Sequence, residues 1–229
     1  MGGLSRLSVL DGPGGLSGGS AAGPAVETAS AKINLALAVG KPRPDGYHAL
    51  QTVMQTVSLA DKVKVTPLPG VKEIRCRCVR AGAGADTGAD RAAEMGAAAD
   101  MDELSGPDNL AVTAARSFEE ELSRAAGRGL PFGLDIYIEK NIPVRAGLGG
   151  GSADAAAVLR AVNRLAGAPL GWAALEAAAR RCGSDAPFCL RGGTQWAEGT
   201  GTTLRPLPPP PPLPVVVVSP AAGVSTAEA

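Results

Sequence analysis

The sequence predicts an α+β fold, and three observations lead to this prediction. Residues 28–39 and 73–80 alternate apolar and polar side chains, which is the period of β-strands, and residues 50–66 have strand composition and end in the alternating Val63 and Val65. Residues 110–126 carry apolar side chains at helical spacing after a Pro-Asp-Asn cap, and further helices are predicted over residues 153–166 and 172–182. Residues 132–140 alternate again between these helices, so strands and helices are mixed along the chain.

Strand pairing and the remaining segments are predicted from the same patterns. The first three strands are expected to form an antiparallel meander, and residues 188–198 are expected to form a strand pair around Gly192 and Gly193. The five prolines at residues 208–212 predict a rigid polyproline II stretch. Residues 215–218 are four valines, which predict a short buried strand.

The composition argues against several classes of protein. The 22 Lys and Arg residues balance 22 Asp and Glu residues, so there is no bulk attraction toward nucleic acid or an anionic membrane. No apolar stretch approaches the roughly 20 residues of a membrane span. Four cysteines without a C-x-x-C pair, with one histidine, argue against a structural zinc site. We therefore expect reduced thiols, a cytoplasmic location, and neither nucleic acid nor membrane as a partner.

Two segments are not expected to pack. Residues 1–28 are rich in Gly and Ser and predict a disordered N-terminal extension. Residues 81–106 are dominated by Gly, Ala and Asp without an apolar stripe, and they predict a flexible insertion. The folded domain is therefore expected to span residues 29–218.

A glycine-rich turn between residues 132–140 and the helix after it has the chemistry of a phosphate site. Glycines permit positive φ, so several N–H groups can converge on an anion at the positive end of the helix. No Lys-Ser/Thr follows, as a Walker A loop requires, and a serine stands where the dinucleotide fingerprint has its third glycine. The alternative is a flexible linker. The candidate residues are Pro143, Val144, Arg145, Ala146, Gly147, Leu148, Gly149, Gly150, Gly151, Ser152 and Ala153.

The first strand and a later turn each carry a candidate for proton chemistry. Alternation places Lys32 and Asn34 side by side on the polar face of the strand. The opposite, apolar face is expected to be Ile33, Leu35, Leu37 and Val39. A lone strand lysine is usually only solvated, and an aspartate such as Asp185 after a helix usually only caps a turn. If the two meet, the ammonium keeps the carboxylate ionised and aimed, so that it can accept a proton from a substrate hydroxyl.

A turn that contains Tyr47 and His48 has the chemistry to hold a nucleobase. Tyrosine offers a flat π face and histidine a hydrogen-bonding ring. The alternative is an exposed turn with incidental aromatic residues. Because His48 is the one histidine and no G-x-S-x-G elbow is present, a Ser-His-Asp triad is disfavoured.

Four motifs in order resemble the 4-diphosphocytidyl-2-C-methyl-D-erythritol kinases, a family of the GHMP kinase superfamily. The first is A-K-I-N-L at residues 31–35 with R-P-D-G-Y-H at residues 43–48, and the second is P-D-N-L at residues 107–110. The third is P-V-R-A-G-L-G-G-G-S-A-D-A-A at residues 143–156, and the fourth is residues 183–190 followed by A-E-G at 197–199. The resemblance runs over about residues 29–224, interrupted by residues 81–106.

The resemblance implies a fold and a reaction. The fold is the GHMP kinase N-terminal domain, of the ribosomal protein S5 domain 2-like type, with a mixed sheet and helices on one face. The reaction transfers the γ-phosphoryl group of ATP to the 2-hydroxyl of a cytidine diphosphate-linked methylerythritol, a step of non-mevalonate isoprenoid synthesis. Asp185 is implied as the base and Lys32 as its partner, with Asn34 near the hydroxyl, Tyr47 stacked on cytosine and His48 at the cytosine edge. Residues 143–153 would wrap the phosphates, and Ser152 is a candidate ligand of Mg²⁺.

One departure from the family leaves alternatives open. The family continues into a second domain with a late glycine-rich motif, whereas Gly223 is the one glycine after Arg205. Residues 219–229 are thus expected to be the start of that domain. The alternatives are a nucleotide-binding fragment without turnover, or another GHMP small-molecule kinase such as a homoserine or mevalonate kinase. The D-G-Y-H turn argues against the latter, and the oligomeric state is not predicted.

Overall fold

A computed structural model describes residues 23–42, 48–82, 101–199 and 201–218 of the chain. The strands are β1 (Ala25–Pro42), β2 (His48–Pro69), β3 (Ile74–Arg80), β4 (Phe132–Lys140), β5 (Thr194–Gly199) and β6 (Thr203–Pro206). The helices are α1 (Met101–Leu104), α2 (Leu110–Ala126), α3 (Gly150–Leu165), α4 (Trp172–Cys182) and α5 (Ala186–Arg191). None of these helices is long and apolar enough to cross a membrane.

The six strands form one mixed sheet around the long strand β2. Strand β1 pairs along one edge of β2, and β4 and β5 share its other edge. Strand β3 runs parallel to β4, whereas the other pairs are antiparallel. The predicted mixed sheet is confirmed, but the predicted meander is wrong because β3 pairs with β4 and not with β2. A parallel pair needs a crossover, and the chain between β3 and β4 makes it through α1 and α2.

The helices pack on one face of this sheet. Alternation along β2 and β4 points one set of side chains toward the helices, and this set is fully buried: Val63, Val65, Leu134, Ile136 and Ile138. Lys62 and Lys64 lie on the opposite face and are exposed. With aromatic residues at only 3% of the sequence, the core is mostly aliphatic and alanine-rich. The run of alanines in α3 lets its backbone approach the strands closely.

The predicted helix after residue 109 is confirmed, and its two ends have clear causes. Asn109 caps the start of α2, where its Oδ1 accepts a hydrogen bond of 2.7 Å from the Ala111 amide. Gly127 ends the helix in the left-handed region at φ 64°, and its amide donates to the Ser123 carbonyl at 2.9 Å.

Both segments that were predicted not to pack are partly ordered. Strand β1 begins at Ala25, so residues 25–28 belong to the sheet, where they pair with residues 62–65. Residues 101–104 form α1, which packs against β3. Residues 1–22 and 83–100 lie outside the described part of the chain.

The predicted buried face of β1 is wrong beyond Ile33. Leu35, Leu37 and Val39 are 42%, 53% and 61% exposed. The register between β1 and β2 shifts between Asn34 and Ala36, so Leu35 is an extra residue and simple alternation stops there. Residues 34–40 are all exposed, which shows that no described element covers this half of the hairpin.

Three further boundaries differ from prediction. Residues 186–191 are the helix α5 and not a strand, because Pro187 in its first turn favours a helix start after Asp185. Helix α3 begins at Gly150, three residues before the predicted start. Residues 215–218 form no strand, and Val216 and Val218 are 88% and 85% exposed.

Candidate active site

The loop of residues 143–149 joins β4 to α3 and presents the amino end of that helix. Arg145, Gly147 and Gly149 all have positive φ, at 58°, 72° and 70°. Gly149 is the N-cap of α3, and its carbonyl accepts the first turn's hydrogen bond from Ala153 at 2.9 Å. The amides of residues 150–152 precede this donor, so they have no acceptor within the helix. Together with the helix dipole they are able to bind an anion.

The loop borders a cavity of about 400 Å³. Every residue from 143 to 152 lines it, and Leu104, Asn109 and Leu110 line it from the connection between α1 and α2. Ala153, also predicted to bind the nucleotide, is buried in the core and does not line the cavity. The cavity volume lies in the range of small-molecule sites.

Lys32 and Asp185 meet at the end of this loop. Lys32 Nζ lies 3.3 Å from Asp185 Oδ2, and the two side chains are 8% and 25% exposed. The Lys32 amide donates to the Leu148 carbonyl at 2.9 Å. A Cβ atom added to Gly149 would lie 3.0 Å from Lys32 Cγ and 3.6 Å from Asp185 Oδ2. The amine, the carboxylate and the loop of residues 143–149, which we call the phosphate loop after its predicted ligand, therefore lie together.

The Asp185 carboxylate does not cap its own helix. Asp185 is the N-cap residue of α5, yet its side chain makes no capping hydrogen bond. Cys189 follows one turn later, and burial, with the nearby Asp185 charge, raises the pKa of its thiol to about 12. The thiol is therefore protonated near neutral pH. The group available for proton transfer here is the carboxylate.

Ser152 faces the same turn from the other side. Its Oγ lies 3.7 Å from the position of a Cβ atom on Gly183, two residues before Asp185. Gly183 has a φ of 133°, which a residue with a side chain rarely adopts. Ser152, which lines the cavity, thus lies close to the turn that carries Asp185, although Asp185 itself is not a lining residue.

The other predicted substrate residues are only partly brought to the site. Asn34 follows Lys32 on the same face of β1, because no register shift separates them. The Thr52 hydroxyl lies 3.1 Å from Asn34 Oδ1 and 2.7 Å from the Ala36 carbonyl. His48 begins β2, where it pairs with Pro42 and is exposed. Tyr47 lies outside the described residues.

A buried charged cluster beside the loop was missed by sequence reasoning, and two of its residues, Lys140 and Asp154, also line the cavity. We call Asp61, Lys140 and Asp154 the Lys140 cluster. Lys140 Nζ bonds to Asp61 Oδ2, and it lies 2.7 Å from Asp154 Oδ2. Asp61 Oδ1 accepts from the amides of Asn141 and Ile142 at 2.6 and 2.8 Å. Asp154 Oδ1 is buried and has no hydrogen-bond partner among the described residues.

The electrostatics of the Lys140 cluster follow from its burial. Burial raises the pKa of Asp154 to about 8, although the Lys140 charge opposes the rise. Burial alone would lower the pKa of Lys140, but the charges of Asp154 and Asp61 outweigh it and the pKa lies above its usual value. The sequence did contain a signal, because alternation along β4 puts Lys140 on the same buried face as Leu134, Ile136 and Ile138.

Known proteins resemble this chain over most of its described length. Residues 109–193 match the family described as GHMP kinases N terminal domain. The chain is 45% identical to the 4-diphosphocytidyl-2-C-methyl-D-erythritol kinase of Desulfitobacterium hafniense, over 88% of this chain and 59% of that protein. It is 41% identical to the same-named kinase of Synechococcus sp., over 87% of this chain and 55% of that one.

Solved structures agree with the fold. A crystal structure of 4-(cytidine 5'-diphospho)-2C-methyl-D-erythritol kinase matches with a TM-score of 0.57 at 37% identity, covering 80% of this chain and 55% of that one. Homoserine kinase from Cytophaga hutchinsonii matches with a TM-score of 0.51 at 19% identity, over 86% of this chain and 55% of that one, which shows the fold alone. This chain thus spans 55–59% of the proteins compared here. Its fold is that of the GHMP kinase N-terminal domain, and its sequence is similar to the 4-diphosphocytidyl-2-C-methyl-D-erythritol kinases.

Proposed function

We propose that this chain binds ATP and transfers its γ-phosphoryl group to the 2-hydroxyl of 4-diphosphocytidyl-2-C-methyl-D-erythritol, in non-mevalonate isoprenoid synthesis. The observation that carries the proposal is the 3.3 Å pair of Lys32 and Asp185, packed against Gly149 of the phosphate loop. The names of the relatives support the choice of substrate.

The phosphate loop binds the triphosphate. The amides of residues 150–152 donate to phosphate oxygens, and the α3 dipole favours the negative charge. The left-handed residues at 145, 147 and 149 curve the loop around the cavity. Phosphoryl transfer depends mainly on positioning and charge stabilisation, so this cradle supplies much of the catalysis.

Asp185 and Lys32 act on the acceptor hydroxyl. As the hydroxyl oxygen bonds to the γ-phosphorus, its proton passes to the Asp185 carboxylate and the bond to the β–γ bridging oxygen breaks, which releases ADP. The Lys32 ammonium keeps the carboxylate ionised before transfer, and it stabilises negative charge on the transferring group.

The same face of β1 and the tip of its hairpin hold the rest of the substrate. Asn34 lies two residues from Lys32 on one strand face, which supports a role for it near the reacting hydroxyl. Tyr47 stacks on the cytosine and His48 bonds its edge, roles that the family resemblance supplies. The four cysteines are free thiols, which supports a reducing, cytoplasmic location.

The residues present are suited to Mg²⁺ beside the phosphates. Mg²⁺ is usually held by one or two carboxylates together with substrate phosphates. Among the described residues no group of three or more acidic, histidine or cysteine side chains forms a cation site, which agrees with this mode. The Ser152 hydroxyl would hold the ion together with the phosphates, and the ion would neutralise phosphate charge when bound.

A coupled ADP-release assay tests the proposal. ADP should form from ATP only when the cytidine-linked substrate is present, and the product should gain one phosphoryl group by mass. CMP should compete with this substrate, whereas homoserine and mevalonate should neither compete nor be phosphorylated. ATP binding without a phosphorylated product would instead support the nucleotide-binding fragment.

A further inference from the structure

We propose that the Lys140 cluster is a positioning device for the phosphate loop, which acts on the nucleotide through the backbone geometry of the loop and not through charge. The inference rests on the proposed nucleotide site but adds residues that the mechanism above does not use. Asp61, Lys140 and Asp154 are 1%, 5% and 3% exposed, so the cluster is almost fully buried, with Lys140 and Asp154 in the wall of the cavity.

Hydrogen bonds to Asp61 hold the chain just before the loop. Asp61 on β2 accepts from the amides of Asn141 and Ile142, the two residues that follow β4. Asn141 Nδ2 also donates to the Ala60 carbonyl at 3.0 Å. Ile142 is fully buried, and its Cγ2 lies 3.1 Å from the position of a Cβ atom on Gly150. The chain direction before the loop and the contact beneath Gly150 are thus set together.

The ion pair of Lys140 and Asp154 holds the chain just after the loop. Lys140, the last residue of β4, bonds to Asp154, which lies four residues after the start of α3. Lys140 Nζ also lies 3.5 Å from the position of a Cβ atom on Gly150. The two ends of the loop are therefore held by one buried cluster. The positive φ values between them are retained only while the surrounding structure determines them.

The charge of the cluster cannot explain a contribution to ATP affinity. One ammonium faces two carboxylates, so the net charge of the cluster is at most zero. Such a group does not attract a triphosphate. Removing all three charges would leave electrostatic attraction equal or greater, whereas loss of positioning would weaken ATP binding. Attraction by net charge and positioning therefore predict opposite outcomes. Because Lys140 also lines the cavity, a direct contact of its ammonium with the nucleotide is separated from positioning by the Asp154 variants, which keep the ammonium.

The main test is the neutral triple variant Asp61→Asn/Lys140→Met/Asp154→Leu. Asparagine keeps an acceptor for the two backbone amides, methionine has nearly the volume of lysine, and leucine keeps the branched shape of aspartate without its charge. We expect the Kd for a non-hydrolysable ATP analogue, measured by calorimetry, to rise about tenfold or more, because misplaced donors lose alignment. The Kd for CMP should stay within about twofold of wild type. Unchanged or tighter ATP-analogue binding in the folded variant would overturn the proposal.

A pair of single variants keeps the test decisive if the triple variant does not fold. Asp154→Asn keeps an acceptor toward Lys140 and should bind the ATP analogue within about threefold of wild type, whereas Asp154→Leu should lose about tenfold. Equal affinity of Asp154→Leu and wild type would refute the proposal.

The matched control is Lys62→Met/Glu139→Gln. These residues neighbour Asp61 and Lys140 in sequence but form an exposed 3.8 Å pair on the opposite face of the sheet. Their loss should leave the Kd for the ATP analogue unchanged. A wild-type chain that binds ATP without making product contradicts the proposed reaction but leaves this comparison intact. A wild-type chain that binds no ATP contradicts both.

Discussion

Two groups of lysine and aspartate flank the phosphate loop, and they differ in how far their hydrogen-bonding capacity is filled. In the first, Asp185 is one-quarter exposed and makes no capping bond, and it lies 3.3 Å from Lys32. In the second, Asp61 accepts from two backbone amides and from Lys140, out of reach of solvent. We infer from the difference that the Asp185 carboxylate is free to take a proton, whereas the Asp61 carboxylate, whose two oxygens are occupied, holds the backbone.

The largest effect is expected from Asp185→Asn. The amide cannot take the hydroxyl proton, so kcat for phosphorylation of the cytidine-linked substrate should fall about 10³-fold. The Kd for ATP should change by less than about threefold, since the phosphates are held by the loop amides. A variant that retains most of its turnover would remove Asp185 from the base role.

Lys32→Met should rank second. Loss of the ammonium removes one charge that stabilises the transferring phosphoryl group, so we expect kcat to fall about 10²-fold or more. Asn34 on the same strand face offers a control: Asn34→Ala should raise KM for the acceptor more than it lowers kcat. The comparison would be contradicted if Lys32→Met changed only the thermal midpoint.

Gly149→Ala should have a smaller effect. Its comparison with Gly147→Ala separates the steric contact of an added Cβ atom from backbone strain. A Cβ atom at this position would lie 3.0 Å from Lys32 Cγ, in a backbone with φ 70°. We expect kcat/KM to fall roughly tenfold or more, because Lys32 must move. Gly147→Ala is the matched control, since it has φ 72° and nothing within 4 Å of the added Cβ. It should cost about 1–2 kcal/mol of stability and keep most of its turnover.

The smallest effect is expected at a third ion group, which lies between α2 and α4. Hydrogen bonds from Arg181, aided by Arg124, hold the pKa of Glu121 below its usual value. Since the folded pKa is below the unfolded one, the stabilisation is present above pH about 4.3 and is lost as pH falls through the folded pKa. Chemical denaturation at pH 7 should show Glu121→Gln destabilised by about 1 kcal/mol, because the arginines are partly exposed and screened.

The same variant checks whether this ion group is purely structural. The difference in unfolding free energy between wild type and Glu121→Gln should shrink as the pH falls below 4. Turnover at pH 7 should be unchanged, since the group lies apart from the phosphate loop. A difference that grew in acid would contradict the direction of the Glu121 pKa shift.

Local patterns predicted several elements closely. Strand β4 and helix α4 have the predicted bounds, and helix α2 begins after the predicted Asn109 cap. In these segments buried residues recur every second position in the strand and every 3.6 positions in the helices. The order of apolar and polar residues is therefore sufficient to predict the element. The glycine-rich turn was likewise predicted as a phosphate site because its chemistry is contained in contiguous residues.

Other features depend on which strands meet. The register shift near Leu35 reverses the faces of β1, and β3 pairs with β4 across a crossover. Neither feature can be predicted from the residues of one segment alone. Lys140 and Asp61 lie in phase with core residues, yet a lysine at a strand end is usually solvated, so only the partner's position shows that it is buried.

By itself the sequence determined the strand and helix periods, the phosphate-binding turn and the identity of the candidate base and amine. Only the tertiary structure decided that Lys32 and Asp185, more than 150 positions apart, lie 3.3 Å from each other, and that Lys140 is enclosed by two carboxylates. The reason is physical: periodicity is a property of neighbouring residues, whereas ion pairing and burial depend on distances between segments that the folded sheet brings together.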